Sequence, residues 1–336
     1  MRVLMLTQFF NPELSLVMPL AQGLRRLGHE IQVLTGFPNY PSGKVYPGYK
    51  IRPWMRETID GFPVLRVALY PSHDRSAVRR IANYLSFASS AATIGVALSS
   101  PVDVVYVYHP PATLGLPALF FHWLRKFPFV YHVQDLWPDT LATTEMFANR
   151  TGLKIVDAYC RFVYKRASHI VVISPGFKRV LIDRGVPQGK IQVIYNWCHD
   201  NEIQSVAPDN ALARELGMEG RFNIVFAGNV GKAQALDSIL SAAPILRSRF
   251  PKIQFIILGS GIEAPRLQQR VHDENLAIGG VWTISATSIC PTRRCRVNTS
   301  YARACRPIAS SRLAVRCTKC CIITCPRLMR PTYWRA

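Results

Sequence analysis

The chain has 336 residues, with 41 Lys and Arg against 20 Asp and Glu, a formal charge of +21. That length suits two domains with ample buried cores. The charge is unevenly spread. Residues 1–277 hold all 20 acids, all 8 histidines and only Cys160 and Cys198 of the nine cysteines, whereas residues 278–336 hold seven cysteines and 11 Lys or Arg but no acid and no histidine. Charged residues make up about a quarter of a globular chain, so an acid-free stretch of this length is foreign to what precedes it. The expectation is a reading frame lost near Ala277, leaving residues 278–336 as an aberrant, disordered, basic Cys-rich tail. The alternative is a genuine basic tail. Without it the body carries +10, a charge suited to an anionic membrane surface or phosphorylated ligands. Two scattered cysteines fit a reducing compartment. The start, MRVLMLTQFF, lacks the basic and apolar regions of a signal peptide and reads as a first strand.

In chain order, Val3–Thr7 is a short apolar run. Val17, Leu20, Ala21, Leu24 and Leu27 then recur on one helical face, and Gly28 ends that helix. Strand Ile31–Leu34 follows. Gly36 to Gly61 reads as one long loop carrying Pro38, Pro41, Pro47 and Pro53, a length that points to function. Further strands are expected at Val64–Ala68, Val102–Tyr108, Phe129–Val133, Ile170–Ile173 and Ile191–Ile194. Ile81 to Val102 has no charge. It reads as a helix buried against a sheet, ahead of a membrane-surface helix flanked by Arg75, Arg79 and Arg80, and ahead of a membrane span. The alternation makes residues 1–197 one α/β domain with a mostly parallel sheet. A polar linker is expected over 198–221. A second α/β domain opens over 222–277 with strand Phe222–Ala227, helix Ala235–Arg249, strand Ile253–Leu258 and helix Glu263–Asn275. Two strand–helix units are too few to complete an ordinary sheet of this kind.

The turn Gly228-Asn229-Val230-Gly231-Lys232 lies between a strand and a helix. Glycines there let backbone N–H groups approach a phosphate, and Lys232 adds a point charge; an ordinary tight turn is the competing reading. A second turn, Gly259-Ser260-Gly261, reads as structural. His109 follows its strand directly, and His132, Asp135 and Asp139 cluster at the end of the next, where α/β active sites collect their groups. The histidines lack paired ligand spacing, so no metal site is expected there. Cys317, Cys320, Cys321 and Cys325 have zinc-like spacing, with only Cys290 and Cys295 as a possible second pair.

Several segments together carry a resemblance: MRVLMLTQFFNPE, LAQGLRRLGHEIQVLTGFPNYPSGKVYPGY, VYHVQDLWPD, ISPGFKRVLIDRGVPQGKIQVIYNW, FAGNVGKAQALD and FIILGSGIE. They span about 275 residues in order, and the chain resembles family-4 glycosyltransferases of bacterial O-antigen, capsule and exopolysaccharide synthesis. The resemblance implies a GT-B fold, two Rossmann-like domains facing a cleft, the second incomplete here. It implies retaining, metal-independent transfer from a nucleotide-sugar to a lipid-linked glycan acceptor, with no separate cofactor. UDP is the commonest donor nucleotide among such enzymes. It places the protein at the cytoplasmic face of the membrane, in peripheral contact with anionic lipid and with no nucleic-acid partner. His109 matches the histidine near the reacting sugar. Lys232 matches the lysine that stabilises the leaving diphosphate, with Gly228, Asn229 and Gly231 around it. Asn11, Pro12 and Glu13 lie on the loop facing donor and acceptor, and His132, Asp135 and Asp139 lie on the acceptor side. The family's glutamate pair, which reads the donor sugar and ribose, has no match, because no carboxylate follows Glu274. Impaired activity is therefore expected. The alternative function is a non-catalytic basic protein binding nucleic acid or anionic lipid through the tail, where Trp282, Tyr301, Tyr333 and Trp334 are the only aromatics.

Overall fold

The computed structural model describes residues 1–13, 15–72, 76–143, 149–197, 213–214, 218–274, 276 and 281–282. The chain divides into two compact units, Met1–Gln204 and Ser205–Ala336.

In the first unit β1 (Arg2–Leu6), β2 (Glu30–Gly36), β3 (Trp54–Ile59), β4 (Phe62–Val67), β5 (Val104–Tyr108), β6 (Phe129–Val133), β7 (His169–Val172) and β8 (Ile191–Val193) make one eight-stranded sheet. Its order is β3-β4-β2-β1-β5-β6-β7-β8, parallel throughout except for the β3–β4 pair. Successive side chains of a strand point to opposite faces, and β1 is apolar on both. Leu4 and Leu6 join a core with Phe87, Phe121 and Val163, while Val3 and Met5 join one with Val17, Met18 and Ala21. Each such side chain, fully buried, contributes about 1.5–3 kcal/mol. Chain order reverses at β1, which has β2 on one side and β5 on the other. Loops leaving β1 and β5 therefore diverge over a common crevice, the place where α/β sheets bind ligands.

Helix α1 (Val17–Arg26) covers the Val3/Met5 face and ends with Gly28 at φ +83°. The other face carries α2 (Ala77–Ser90), which runs on through a π-helical turn (Ala91–Gly95) into α3 (Val96–Leu98). A Cβ on Gly95 would lie 2.7 Å from Leu34 Cδ2, so the absence of a side chain permits this close packing. Ala77–Leu98 is long and apolar enough to cross a membrane by length and composition. In this structure Phe87, Ala88, Ala91 and Val96 are buried on the sheet. Beside it lie α4 (Gly115–Leu124) and α6 (Arg150–Arg166), and α5 (Asp139–Thr143) and α7 (Pro175–Asp183) complete the described helices of this unit. The Ser174 hydroxyl caps α7 by accepting from Phe177 N at 3.2 Å.

The expected loop from Gly36 to Gly61 is interrupted by β3. Its residues alternate between exposed and half-buried, and Ile59 pairs with Phe62 across Asp60 (φ +50°) and Gly61 (φ +80°). Two consecutive left-handed residues spelled Asp-Gly are the sequence of a two-residue hairpin. That dipeptide marks the strand that the proline content of the segment conceals.

The second unit contains β9 (Phe222–Ala227), α8 (Asp237–Arg249), β10 (Ile253–Leu258), α9 (Ala264–Asp273) and β11 (Val281–Trp282), in a parallel sheet ordered β11-β10-β9. Val230, Leu236, Leu240, Phe255, Ile257 and Leu267 form its core. The two-residue strand β11 falls within the stretch expected as an aberrant tail from residue 278. Val281 pairs with Ile257 and Trp282 with Leu258, because V-W continues the apolar, β-prone text for a few residues beyond Ala277. Most of the expected linker, 198–221, and the rest of the expected tail with all its cysteines lie outside the described residues.

Candidate active site

Tyr108 pairs with His132 across β5 and β6, and His109 N donates to His132 O at 3.1 Å, extending the ladder past the strand end. The His109 ring is buried, 5.8 Å from the Tyr131 ring and 6.1 Å from that of Trp137, and its Nδ1 has no hydrogen-bond partner. Burial first, then the nearby His132, pushes its pKa down to about 3. The imidazole is therefore neutral at physiological pH, with one ring nitrogen uncommitted at the carboxyl end of the sheet.

His132 is differently placed. Its Nδ1 lies 2.8 Å from the Tyr106 hydroxyl and its Nε2 lies 2.9 Å from Gln134 Nε2, which also donates to Asn196 Oδ1 at 2.9 Å. An amide nitrogen only donates, so His132 Nε2 accepts and its proton sits on Nδ1, facing Tyr106. Burial lowers its pKa to about 4. With both nitrogens engaged, His132 ties β6 to β5 and to Asn196, rather than presenting a free nitrogen to the crevice.

Glu13 also departs from the expected role at the cleft. Its carboxylate is fully buried. Oε1 accepts from the backbone N–H groups of Asn39 and Tyr40 at 2.6 Å each, and Oε2 accepts from Phe10 N at 3.3 Å. It staples the loop after β1 to the loop after β2. Burial raises its pKa to about 7, against the three N–H groups and the Arg66 charge. Asn11 contributes its carbonyl to the same device: Arg66, fully buried on β4, donates to Asn11 O, to Gly36 O at 2.7 Å, and to Glu57. Its guanidinium also lies 5.0 Å from the centre of the Tyr49 ring. Arg66 is the organising residue that sequence reasoning missed. One Arg within an apolar strand was its only signal.

Asp139 is exposed and turned to the side. Its Oδ2 lies 2.5 Å from Arg184 Nη2, while Arg184 Nη1 donates to Trp137 O at 2.8 Å. It anchors α5 to the end of α7 and does not join the histidines. Asp135 is half-buried, its pKa raised by burial, and it lines a cavity of about 160 Å³ with Phe9, Pro110 and Trp137.

In the second unit, Gly228–Lys232 leaves β9 and enters a 3₁₀ turn, Lys232–Gln234. Asn229 and Lys232 are exposed, and Gly231 N donates to Gln234 Oε1 at 3.1 Å. The second glycine turn supports the first. Val230 N donates to Ser260 O at 2.9 Å, and a Cβ on Gly259 or Gly261 would lie 1.8 Å from Gly228 O or 2.2 Å from Val230 O. Gly259 and Gly261 thus allow two backbones to touch, which holds the first turn in shape. Among the described residues no three His, Cys, Asp or Glu side chains converge as a metal site.

The family described as glycosyl transferase 4-like domain matches residues 16–197. Over 294 residues the chain is 26% identical to WcaI of Escherichia coli K12, a glycosyl transferase assigned to colanic acid biosynthesis, covering 82% of this chain and 70% of WcaI. It is 23% identical over 177 residues to the glycosyltransferase WbjE of Pseudomonas aeruginosa, covering 52% of this chain and 44% of WbjE. Among solved structures, Anabaena HepE in complex with UDP-glucose superposes with a TM-score of 0.54 at 16% identity, covering 82% of this chain and 66% of HepE. Sucrose-phosphate synthase of Thermosynechococcus elongatus superposes at 0.52 and 13% identity, covering 82% and 68%. These two likenesses show a shared fold of the GT-B glycosyltransferase type. With the family match spanning more than half of its length, the chain belongs to the glycosyl transferase 4-like family of glycosyltransferases.

Proposed function

We propose that this transferase moves a sugar from a nucleotide-sugar to a lipid-linked polysaccharide precursor at the cytoplasmic face of the membrane, with retention and without a metal. The observation that carries the reading is His109, a neutral imidazole buried at the carboxyl end of β5 with an unpartnered nitrogen. A neutral ring hydrogen-bonds a sugar hydroxyl without introducing a charge beside a developing oxocarbenium ion. The glycine turn with Lys232 suits a leaving diphosphate, and HepE, which shares the fold, is solved with UDP-glucose. UDP is accordingly the first donor nucleotide to test. The same reading gives impaired turnover, because residues 275–336 hold no carboxylate to contact the donor's sugar and ribose hydroxyls.

Membrane contact is supported by a surface on α4 and α6. Exposed Trp123, Leu124, Ile155 and Phe162 lie there, with the Trp123 and Phe162 rings 6.1 Å apart and Arg166 5.4 Å over Phe162. Lys126, Lys154, Arg161, Lys165 and Arg166 are exposed around them. The one acid of these helices, Asp157, is paired with Arg161 at 2.7 Å. Aromatic side chains among cations suit an anionic lipid interface.

The direct test is sugar transfer from a panel of nucleotide-sugars to membranes carrying lipid-linked acceptors. The expected result is nucleoside-diphosphate release that depends on acceptor and on His109, at a rate well under the roughly 1–10³ per second that is ordinary for enzymes. Ordinary turnover would remove the impairment, and release unaffected by His109→Ala would remove the role of that residue.

A further inference from the structure

The cavity beside Asp135 brings together opposite charges and aromatic walls. It lies among α2, the loops leaving β1 and β5, and the exit of β6, and Phe9, Tyr84, Pro110 and Trp137 wall it. Two opposite charges face into it: Arg80, from the first turns of α2, and Asp135. Arg80 Nε is buried without a hydrogen-bond partner, and among the described residues neither Arg80 nor Asp135 forms an ion pair. The Tyr84 phenol lies within the field of both charges. Burial raises its pKa most, with Arg80 opposing and Asp135 adding to the rise.

A buried guanidinium nitrogen with no partner is costly, because its lost hydration is not replaced. A ligand bringing an anion recovers that cost. Guanidinium groups match phosphate oxygens in a planar, bidentate way. A carboxylate is an acceptor only, so Asp135 suits hydroxyl donors. Aromatic and proline walls suit the apolar C–H face of a sugar ring. At about 160 Å³ the cavity is smaller than the roughly 300–1,000 Å³ of drug-sized sites, which limits it to a single ring.

We propose that this pocket binds one phosphorylated sugar, Arg80 holding the phosphate and Asp135 the ring hydroxyls. This rests on the glycosyltransferase reading and specifies its acceptor: recognition falls on the sugar that carries phosphate.

The test is calorimetric titration of the full chain with glucose 1-phosphate, methyl glucoside and inorganic phosphate, without any nucleotide. Glucose 1-phosphate is expected to bind at least tenfold more tightly than either of the others. Arg80→Gln and Asp135→Asn should each weaken it at least tenfold, with Arg80→Lys falling between, and thermal melts identify which variants are folded. The assignment is overturned if glucose 1-phosphate does not bind, if its binding is indifferent to Arg80, or if phosphate alone binds as well. Failure here with UDP binding intact removes only this pocket's role, whereas loss of UDP binding with glucose 1-phosphate binding intact removes the donor reading. A short-chain prenyl diphosphate glucose separates the two sources of a phosphorylated sugar. Tighter binding than glucose 1-phosphate assigns the pocket to a lipid-linked acceptor, and equal or weaker binding assigns it to a soluble one.

Discussion

At the scale of single residues, burial decides which of the candidate groups are free to act. His109 and His132 are both held neutral, at about 3 and about 4, because burial penalises the charged ring. Their ring C–H resonances are therefore expected not to titrate between pH 5 and 8, and a midpoint near 6.5 in either would contradict the burial. Glu13 runs the opposite way. Its folded-state pKa is about 7 against an ordinary 4.5, so the folded chain keeps this proton after the unfolded chain has released it. The stability tied to that proton is complete below about pH 4.5 and is lost as pH rises to about 7. Glu13→Gln replaces one accepting oxygen by a donor facing a backbone N–H, which is expected to cost about 1–3 kcal/mol at pH 5. At pH 8 the cost should be smaller, since the substitution also removes a carboxylate that burial disfavours. Urea denaturation of both forms at the two pH values measures the difference. A cost that grows with pH would refute the assignment.

At the scale of elements, the two kinds of glycine make a paired prediction. Gly23 in α1 has open space where a Cβ would stand, with nothing within 4 Å, so Gly23→Ala should stabilise the protein by about 0.5–1 kcal/mol. Gly261→Ala places a methyl 2.2 Å from the Val230 carbonyl oxygen. It should displace the Gly228–Lys232 turn and cut nucleotide binding at least tenfold. Unchanged UDP affinity in that variant would show that the second turn does not support the first. The strands at β1, β2 and β4 to β10 were legible in the sequence, because apolar runs bounded by polar residues or glycines recur along the chain. Strand β3 was hidden by half-exposed, mixed-polarity text, although Asp60-Gly61 marks its hairpin. The site was legible in part. His109 could be placed because it directly follows a buried strand. That Glu13 turns inward and Asp139 pairs with Arg184 depends on partners 26 and 45 residues away, which no local pattern records.

At the scale of the whole molecule, the composition break and the two units bear on different halves of the reaction. The first unit holds His109, the Arg80–Asp135 pocket and the aromatic, basic surface of α4 and α6. Charge reversal at Lys165 and Arg166 should weaken binding to vesicles with anionic lipid at least tenfold and leave glucose 1-phosphate binding intact, as sedimentation with liposomes would measure. The second unit holds the glycine turn and Lys232. On the proposed reading this turn holds the diphosphate that UDP and UDP-glucose share. The measurement that tests this most directly is the equilibrium binding of UDP and UDP-glucose to the full chain and to Lys232→Ala. Both ligands are expected to bind, each falling about tenfold or more in the variant, as the loss of a charged contact of about 1.5–3 kcal/mol requires. Absence of UDP binding, or binding indifferent to Lys232, would contradict it.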